Sequence, residues 1–289
     1  MKIGGKSVEI GELISDSSVD GVVFLTKNRK VLKVIPIWGD NSDIRGFEQE
    51  VEIGKKMKSK YGAKVIASQI TSKGSNLYEE VLKATSVLTK KLKIKSKFGL
   101  ILMEHLEGKH EVAISLWSYL WHFKKHKQAC PGKGHKIYQK LRETLKNFYK
   151  IGYYHGDLHF GNIYVILKYE HELIRYLGLK QMMEAEIKYV KIIDFGRSRK
   201  LKNNLSKKDC LYEMLKSIHN EFMSNGNLIT SGRYHQRSLM KNNNYMGYSI
   251  KNNMSALMAE NTKTYKNRPH NFRLNYLMEE PASYHRKKN

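Results

Sequence analysis

Cysteine is nearly missing from this chain. Cys130 and Cys210 are the two present in 289 residues, and they lie far apart. That excludes a disulfide-stapled scaffold and fits a reducing interior such as a cytosol. Acidic residues are also scarce, with 27 Asp and Glu against 52 Lys and Arg. No apolar run approaches the roughly 20 residues that span a bilayer, so no membrane span is expected. The opening Met1-Lys2-Ile3-Gly4-Gly5 has no apolar signal core, and export is not expected either. Hydrophobic residues still make up 40% of the chain, enough for one substantial core or two smaller lobes.

The shortage of acids leaves a net charge of +25. A field of that sign attracts nucleic acid, anionic lipid or acidic protein and speeds their encounter. The plainer reading is a solvated, lysine-rich surface. Four prolines and many asparagines go with it, as in a chain from an AT-rich genome. The two readings weigh about evenly, and charge alone names no partner. A cellular protein acting in the cytoplasm fits, as does a viral or effector protein acting inside a host cell.

Along the chain, the first hundred residues read mainly as strands. Val22-Val23-Phe24-Leu25 and Val31-Leu32-Lys33-Val34-Ile35 are β-rich runs joined by a turn at Lys27-Asn28-Arg29-Lys30. Helical spacing begins at Phe47 and runs to Met57, with Phe47 and Val51 on one side. Lys91 to Lys95 alternates as a half-exposed strand does, and Gly99 to Met103 reads as a buried one. Ser115 to His126 and Ile137 to Ile151 read as helices. The second places Ile137, Leu141, Leu145 and Phe148 on one face and stops at Gly152. From about Glu221, asparagine clusters interrupt any periodicity. This divides the chain into a β-rich 1–104, a helical 105–220 and an extension over 221–289.

The densest chemistry is in His155-Gly156-Asp157-Leu158-His159-Phe160-Gly161-Asn162, followed by Ile193-Asp194-Phe195-Gly196. Phosphoryl transfer needs one carboxylate to orient a hydroxyl, with an amide oxygen and a second carboxylate to hold Mg²⁺. An Asp five residues before an Asn, with Asp-Phe-Gly downstream, supplies that set in order. The alternative is a loop Asp, a turn Asn and a strand-end Asp with capping duties. Order, spacing and the apolar run before Asp194 weigh against it.

These segments resemble the catalytic and magnesium loops of the protein-kinase-like superfamily. The resemblance implies an α+β, two-lobed fold with a β-rich N-lobe, a helical C-lobe and a truncated activation segment. It implies ATP and Mg²⁺ as cofactors and a protein hydroxyl as acceptor. Asp157 would orient that hydroxyl, and Asn162 and Asp194 would ligate Mg²⁺. Lys33, in a stretch like the third-strand lysine motif, would grip the phosphates with Glu50 as partner, although Glu48 and Glu52 lie on the same helix. Gly21 and Val23 are what survives of the phosphate-cradling glycine loop, which here reads Asp16-Ser17-Ser18-Val19-Asp20-Gly21-Val22-Val23. Met103 would be the gatekeeper, and the backbones of Glu104 and Leu106 would pair with adenine.

Departures narrow the resemblance. Gly156 stands where kinases switched by loop phosphorylation carry Arg. No Ala-Pro-Glu follows Asp194-Phe195-Gly196. Arg197 to Lys208 leads directly into a helical Asp209-Cys210-Leu211-Tyr212, as in small atypical kinases of the Bud32 and RIO type, where Asp209 would brace the catalytic loop. His-Gly-Asp-Leu-His-x-Gly-Asn is also similar to aminoglycoside- and choline-kinase-type enzymes, with His159 in place of Lys. Between Asn162 and Asp194 lies an insertion, Lys168 to Lys188. The competing functions are therefore a small-molecule kinase and a kinase-shaped pseudokinase whose basic surface binds RNA or a ribonucleoprotein. His122, His126, Cys130 and His135 have spacing that could meet one Zn²⁺. Pro131-Gly132 and the mismatch to common zinc modules favour a solvated helix end.

Overall fold

The computed structural model describes residues 1–15, 21–37, 41–86, 96–119, 131–168 and 185–201. They fall into two compact units. One comprises Met1–His105 with Asp194–Ser198; the other comprises Leu106–Ile193 and continues from Arg199.

The first unit opens with a short hairpin, β1 (Lys2–Ile3) and β2 (Lys6–Ser7). An antiparallel five-stranded sheet follows, built from β3 (Ile10–Ser15), β4 (Val22–Thr26), β5 (Lys30–Ile37), β6 (Val65–Ser72) and β7 (Lys97–Glu104). Their order is β3-β4-β5-β7-β6. The expected turn between β4 and β5 is tied by Thr26, whose Oγ1 accepts from the Lys30 N–H at 2.8 Å, and Arg29 takes a positive φ of 56°. Side chains alternate across a strand. Leu32 and Val34 therefore join Phe24, Leu100 and Leu102 on one face, while Ile35 joins Ile101 on the other. Helix α1 (Asn41–Lys56) covers the second face with Phe47 and Val51, and begins before the expected Phe47. The other face receives α2 (Asn76–Ser86), an element the apolar pattern did not announce. Ser75 caps it by accepting from the Tyr78 N–H at 3.3 Å, and Tyr78 stacks on Phe98 at 4.8 Å.

The second unit has an antiparallel three-stranded sheet of order β11-β10-β8. Its strands are β8 (Glu111–Ser115), β10 (Ile163–Lys168) and β11 (Glu186–Ile192). Short strands β9 (Tyr153–Tyr154) and β12 (Arg199–Lys200) pair with each other. Helix α3 (Pro131–Lys150) buries Ile137, Leu141, Leu145 and Phe148, the face read from their spacing. Each such burial contributes about 1.5–3 kcal/mol. Thr144 Oγ1 donates to the Val190 carbonyl at 2.5 Å and fastens α3 to β11. The helix ends at Gly152, with φ 87°.

Three expectations change. Ser115 closes strand β8 and is not helical; its Oγ accepts from the Ser118 N–H at 3.1 Å, capping the helical residues 116–119. Helix α3 starts at Pro131, ahead of the expected Ile137, because a first-turn proline gives up no helical hydrogen bond. The insertion is shorter than Lys168 to Lys188, since Lys168 ends β10 and Glu186 begins β11. The alternating Lys91–Lys95, His122, His126, Cys130, the interior of the insertion, Asp209 and 221–289 lie outside the described residues. No described helix is long and apolar enough to cross a membrane.

Candidate active site

In the first unit, strand alternation puts Lys33 on the face covered by α1, and the residue is only 5% exposed. A buried ammonium needs opposite charge. Its Nζ lies 2.7 Å from Glu50 Oε1 and 3.0 Å from Asp194 Oδ1. Burial alone would lower the Lys33 pKa. The Glu50 and Asp194 carboxylates outweigh it and hold the ammonium well above its ordinary 10.5. Glu48 and Glu52 are exposed, and Glu52 pairs with Lys56 on the same helix. Of the three acids, Glu50 is the one on the buried side of α1.

The neighbouring residue on α1, Gln49, which sequence reasoning missed, donates from Nε2 to the Ser198 carbonyl. Consecutive α1 residues thus hold both ends of the Asp194–Ser198 segment. Asp194 has φ 63°, a left-handed conformation that Asp and Asn tolerate better than other side chains. Its neighbour Phe195 is 3% exposed and anchors the turn in which the Ser198 N–H donates to the Phe195 carbonyl at 3.0 Å.

In the second unit, the Asp157 loop is held by backbone groups. His155 is fully buried; its Nε2 lies 3.0 Å from the Ile193 carbonyl, and its Nδ1 accepts from the Asp157 N–H at 3.4 Å. Those partners select the neutral tautomer with the proton on Nε2. Asn162 Nδ2 donates to the Asp157 carbonyl at 3.0 Å, and the Asn162 carbonyl accepts from the Ile193 N–H at 3.0 Å. His159 spends Nδ1 accepting from the Gly161 N–H at 3.1 Å, capping a 3₁₀ turn over Phe160–Asn162. Gly156 has φ 76°, where any side chain, Arg included, would be strained.

Gly21 directly precedes β4, and Val23 within it is the cross-strand partner of Lys33. Gly21 has a structural reason of its own. At φ 151°, an added Cβ would come within 2.6 Å of the Val34 carbonyl oxygen. Met103 and Glu104 end β7, and the Glu104 N–H donates to the Lys64 carbonyl at 2.9 Å. The Leu106 carbonyl accepts from Lys191 Nζ at 2.7 Å, an interaction with no counterpart in the sequence expectations. Asp16 to Asp20 of the eroded glycine loop lie outside the described residues.

The donor chemistry fits magnesium. With Nδ2 of Asn162 committed to a carbonyl, Oδ1 remains as that amide's acceptor, and Asp194 offers a carboxylate whose side chain is 26% exposed. Both are hard oxygen donors. Mg²⁺ takes few protein ligands and completes its shell with water and phosphate. The described residues hold no cluster of three or more His, Cys, Asp or Glu that could hold a metal ion.

No protein-family model matches the chain, and no curated protein sequence does. Many solved structures overlap it, among them two of the kinase domain of Mycobacterium tuberculosis PknI. One, of a double mutant, has 14% identity and a TM-score of 0.41, covering 68% of this chain and 62% of that one, under two thirds of its length. The other has 13% identity and a TM-score of 0.44, covering 74% of this chain and 73% of that one.

Proposed function

We propose that this chain is an ATP- and Mg²⁺-dependent phosphotransferase that phosphorylates a serine or threonine hydroxyl on protein. The observation that carries the reading is the buried Lys33 ammonium between Glu50 and Asp194, residues 17 and 161 positions away in sequence. A lysine held by one buried carboxylate and one more exposed carboxylate is a fixed positive charge with a replaceable partner. Such a charge suits the α- and β-phosphates of a nucleotide. Bound Mg²⁺ would neutralise phosphate charge, with Asn162 and Asp194 as its protein ligands. Asp157 orients the acceptor hydroxyl and takes its proton as the new O–P bond forms and the bond to the ADP oxygen breaks.

On this reading 1–104 forms the nucleotide-gripping lobe, 105–220 the acceptor-positioning lobe and 221–289 an extension. The strained φ that Arg would adopt at position 156 supports a loop that is competent without phosphorylation. A small-molecule acceptor is the second reading, favoured by the His159 ring that caps the Asp157–Asn162 loop where protein kinases carry Lys.

The test is transfer from γ-labelled ATP to substrate protein by the full chain, beside Asp157→Ala and Asp194→Asn. Asn retains tolerance for the φ of 63°, so Asp194→Asn removes charge with little backbone penalty. Label on protein falling by about 10²–10³-fold or more in both variants is the expected result. ATP consumption without protein label moves the acceptor to a small alcohol. Wild-type chain with no turnover overturns the proposal.

A further inference from the structure

We propose that Gln49 is a positioning residue for Asp194: its side-chain amide latches the Asp194–Ser198 segment to α1 and holds the Asp194 carboxylate where it meets Mg²⁺. The inference rests on the reading above, in which Asp194 is a metal ligand, and adds a residue to which that reading gives no part.

The segment needs a holder. Asp194 has φ 63°, and a residue other than glycine stays in that region only when its surroundings over-determine it. Its side chain is 26% exposed, so burial does not fix the carboxylate. The Lys33 ammonium lies 3.0 Å away, but on the reading above that ammonium also serves phosphate. An attachment without charge keeps the carboxylate in place when the cation turns to the nucleotide.

Gln49 supplies one. Its Nε2 donates to the Ser198 carbonyl, and the Ser198 N–H donates to the Phe195 carbonyl at 3.0 Å. The turn therefore carries the tie back to the residue that follows Asp194. The buried Ser198 hydroxyl makes no hydrogen bond, so the tie runs through the backbone. Between the two anchors Gly196 packs on α1, since a Cβ added there would lie 3.3 Å from Glu50 Oε2. The helix is itself a close-fitted platform. A Cβ on its Gly54 would collide with Val65, and one on Gly99 of β7 would come within 2.5 Å of the Phe47 ring. Packing that close leaves α1 no room to slide on the sheet. All these residues belong to the first unit. A half-buried glutamine on a helix has water as an alternative partner, yet this one reaches a carbonyl 149 positions away.

The experiment compares the full chain as wild type, Gln49→Met and Gln49→Lys. Methionine keeps length and helix propensity without a donor, whereas lysine keeps a nitrogen donor. Thermal unfolding checks each fold. Amide hydrogen exchange of the 194–198 peptide is read without nucleotide or metal, and the Mg²⁺ midpoint of ATP turnover is read separately. Gln49→Met is expected to exchange about tenfold faster across 194–198, with β5 unchanged. It should need about tenfold more Mg²⁺ while kcat at saturating Mg²⁺ stays within about threefold of wild type. Gln49→Lys stays within about threefold of wild type in both measurements. A merely structural role would lower the unfolding temperature without moving the Mg²⁺ midpoint. An unmoved midpoint or unmoved exchange in a folded Gln49→Met overturns the inference and leaves the phosphotransferase reading standing. Wild type whose 194–198 peptide exchanges as fast as an unstructured chain overturns it without needing a folded variant. Wild type with no turnover at any Mg²⁺ concentration overturns both.

Discussion

Among the described residues two lysines are buried, one in each unit, and the contacts they make differ in kind. Lys33, 5% exposed, lies between two carboxylates; Lys191, 7% exposed, donates to a peptide carbonyl. Opposite charge compensates desolvation more fully than a dipole does, but it couples the partners, so that losing one strands another. The lesson is that similar burial carries different consequences. At Lys33 the unit depends on a charge network, whereas Lys191 ties the Leu106 backbone to β11.

Removing each lysine breaks the comparison most directly. Lys33→Met leaves the buried Glu50 without its cation and should cost about 3–5 kcal/mol in urea unfolding. The double variant Lys33→Met/Glu50→Leu should cost clearly less than the sum of its single changes. Alkaline titration tests the sign. The folded-state pKa of Lys33 is raised above 10.5, so its stabilisation is complete below that pH and fades as pH rises through the higher folded value. Wild type and Lys33→Met should therefore differ by a constant amount around neutrality and converge in strong alkali.

Lys191→Met takes the donor from the Leu106 carbonyl and should cost about 1–3 kcal/mol in the same measurement. Gly156→Ala probes the backbone-held loop, with a strain of about 1–2 kcal/mol expected from φ 76°, readable as a lower urea midpoint. The smallest effect belongs to Lys188, whose side chain is 35% exposed as it pairs with Glu111 at 2.5 Å; the Glu111 carboxylate, 7% exposed, keeps the Gly108 N–H at 2.8 Å when the lysine is lost. Lys188→Ala should change stability by at most about 1 kcal/mol, shrinking further in high salt.

Periodicity made several elements legible. The alternation through Leu32, Val34 and their neighbours marks β5, and the spacing of Ile137, Leu141, Leu145 and Phe148 marks the inner face of α3. Helix α2 was obscured because its buried positions are Tyr78, Val81 and Thr85, and the last reads as polar. The Thr85 hydroxyl is satisfied within the helix by the Val81 carbonyl at 2.7 Å, which permits its burial. The start of α3 was placed too late, at Ile137, because the first turn from Pro131 carries no apolar periodicity, while a proline is favoured where a helix begins. The roles of Gln49 and His155 in holding loops had no separate signal, since each depends on a carbonyl far along the chain.

The linear order of residues by itself determined the chemical set: an Asp, an Asn and a second Asp at fixed spacing, a strand lysine, and acids on the following helix. Spacing along the chain can do this because helix and strand periods are local properties of the backbone. Tertiary structure alone decided which acid meets Lys33, since Glu48, Glu50 and Glu52 differ only in which side of α1 faces the sheet. It also decided that Asp194 completes that ion network and that Lys191 closes the Leu106 carbonyl. Those pairings span 161 and 85 residues, and no local rule of the chain encodes a contact at such a distance.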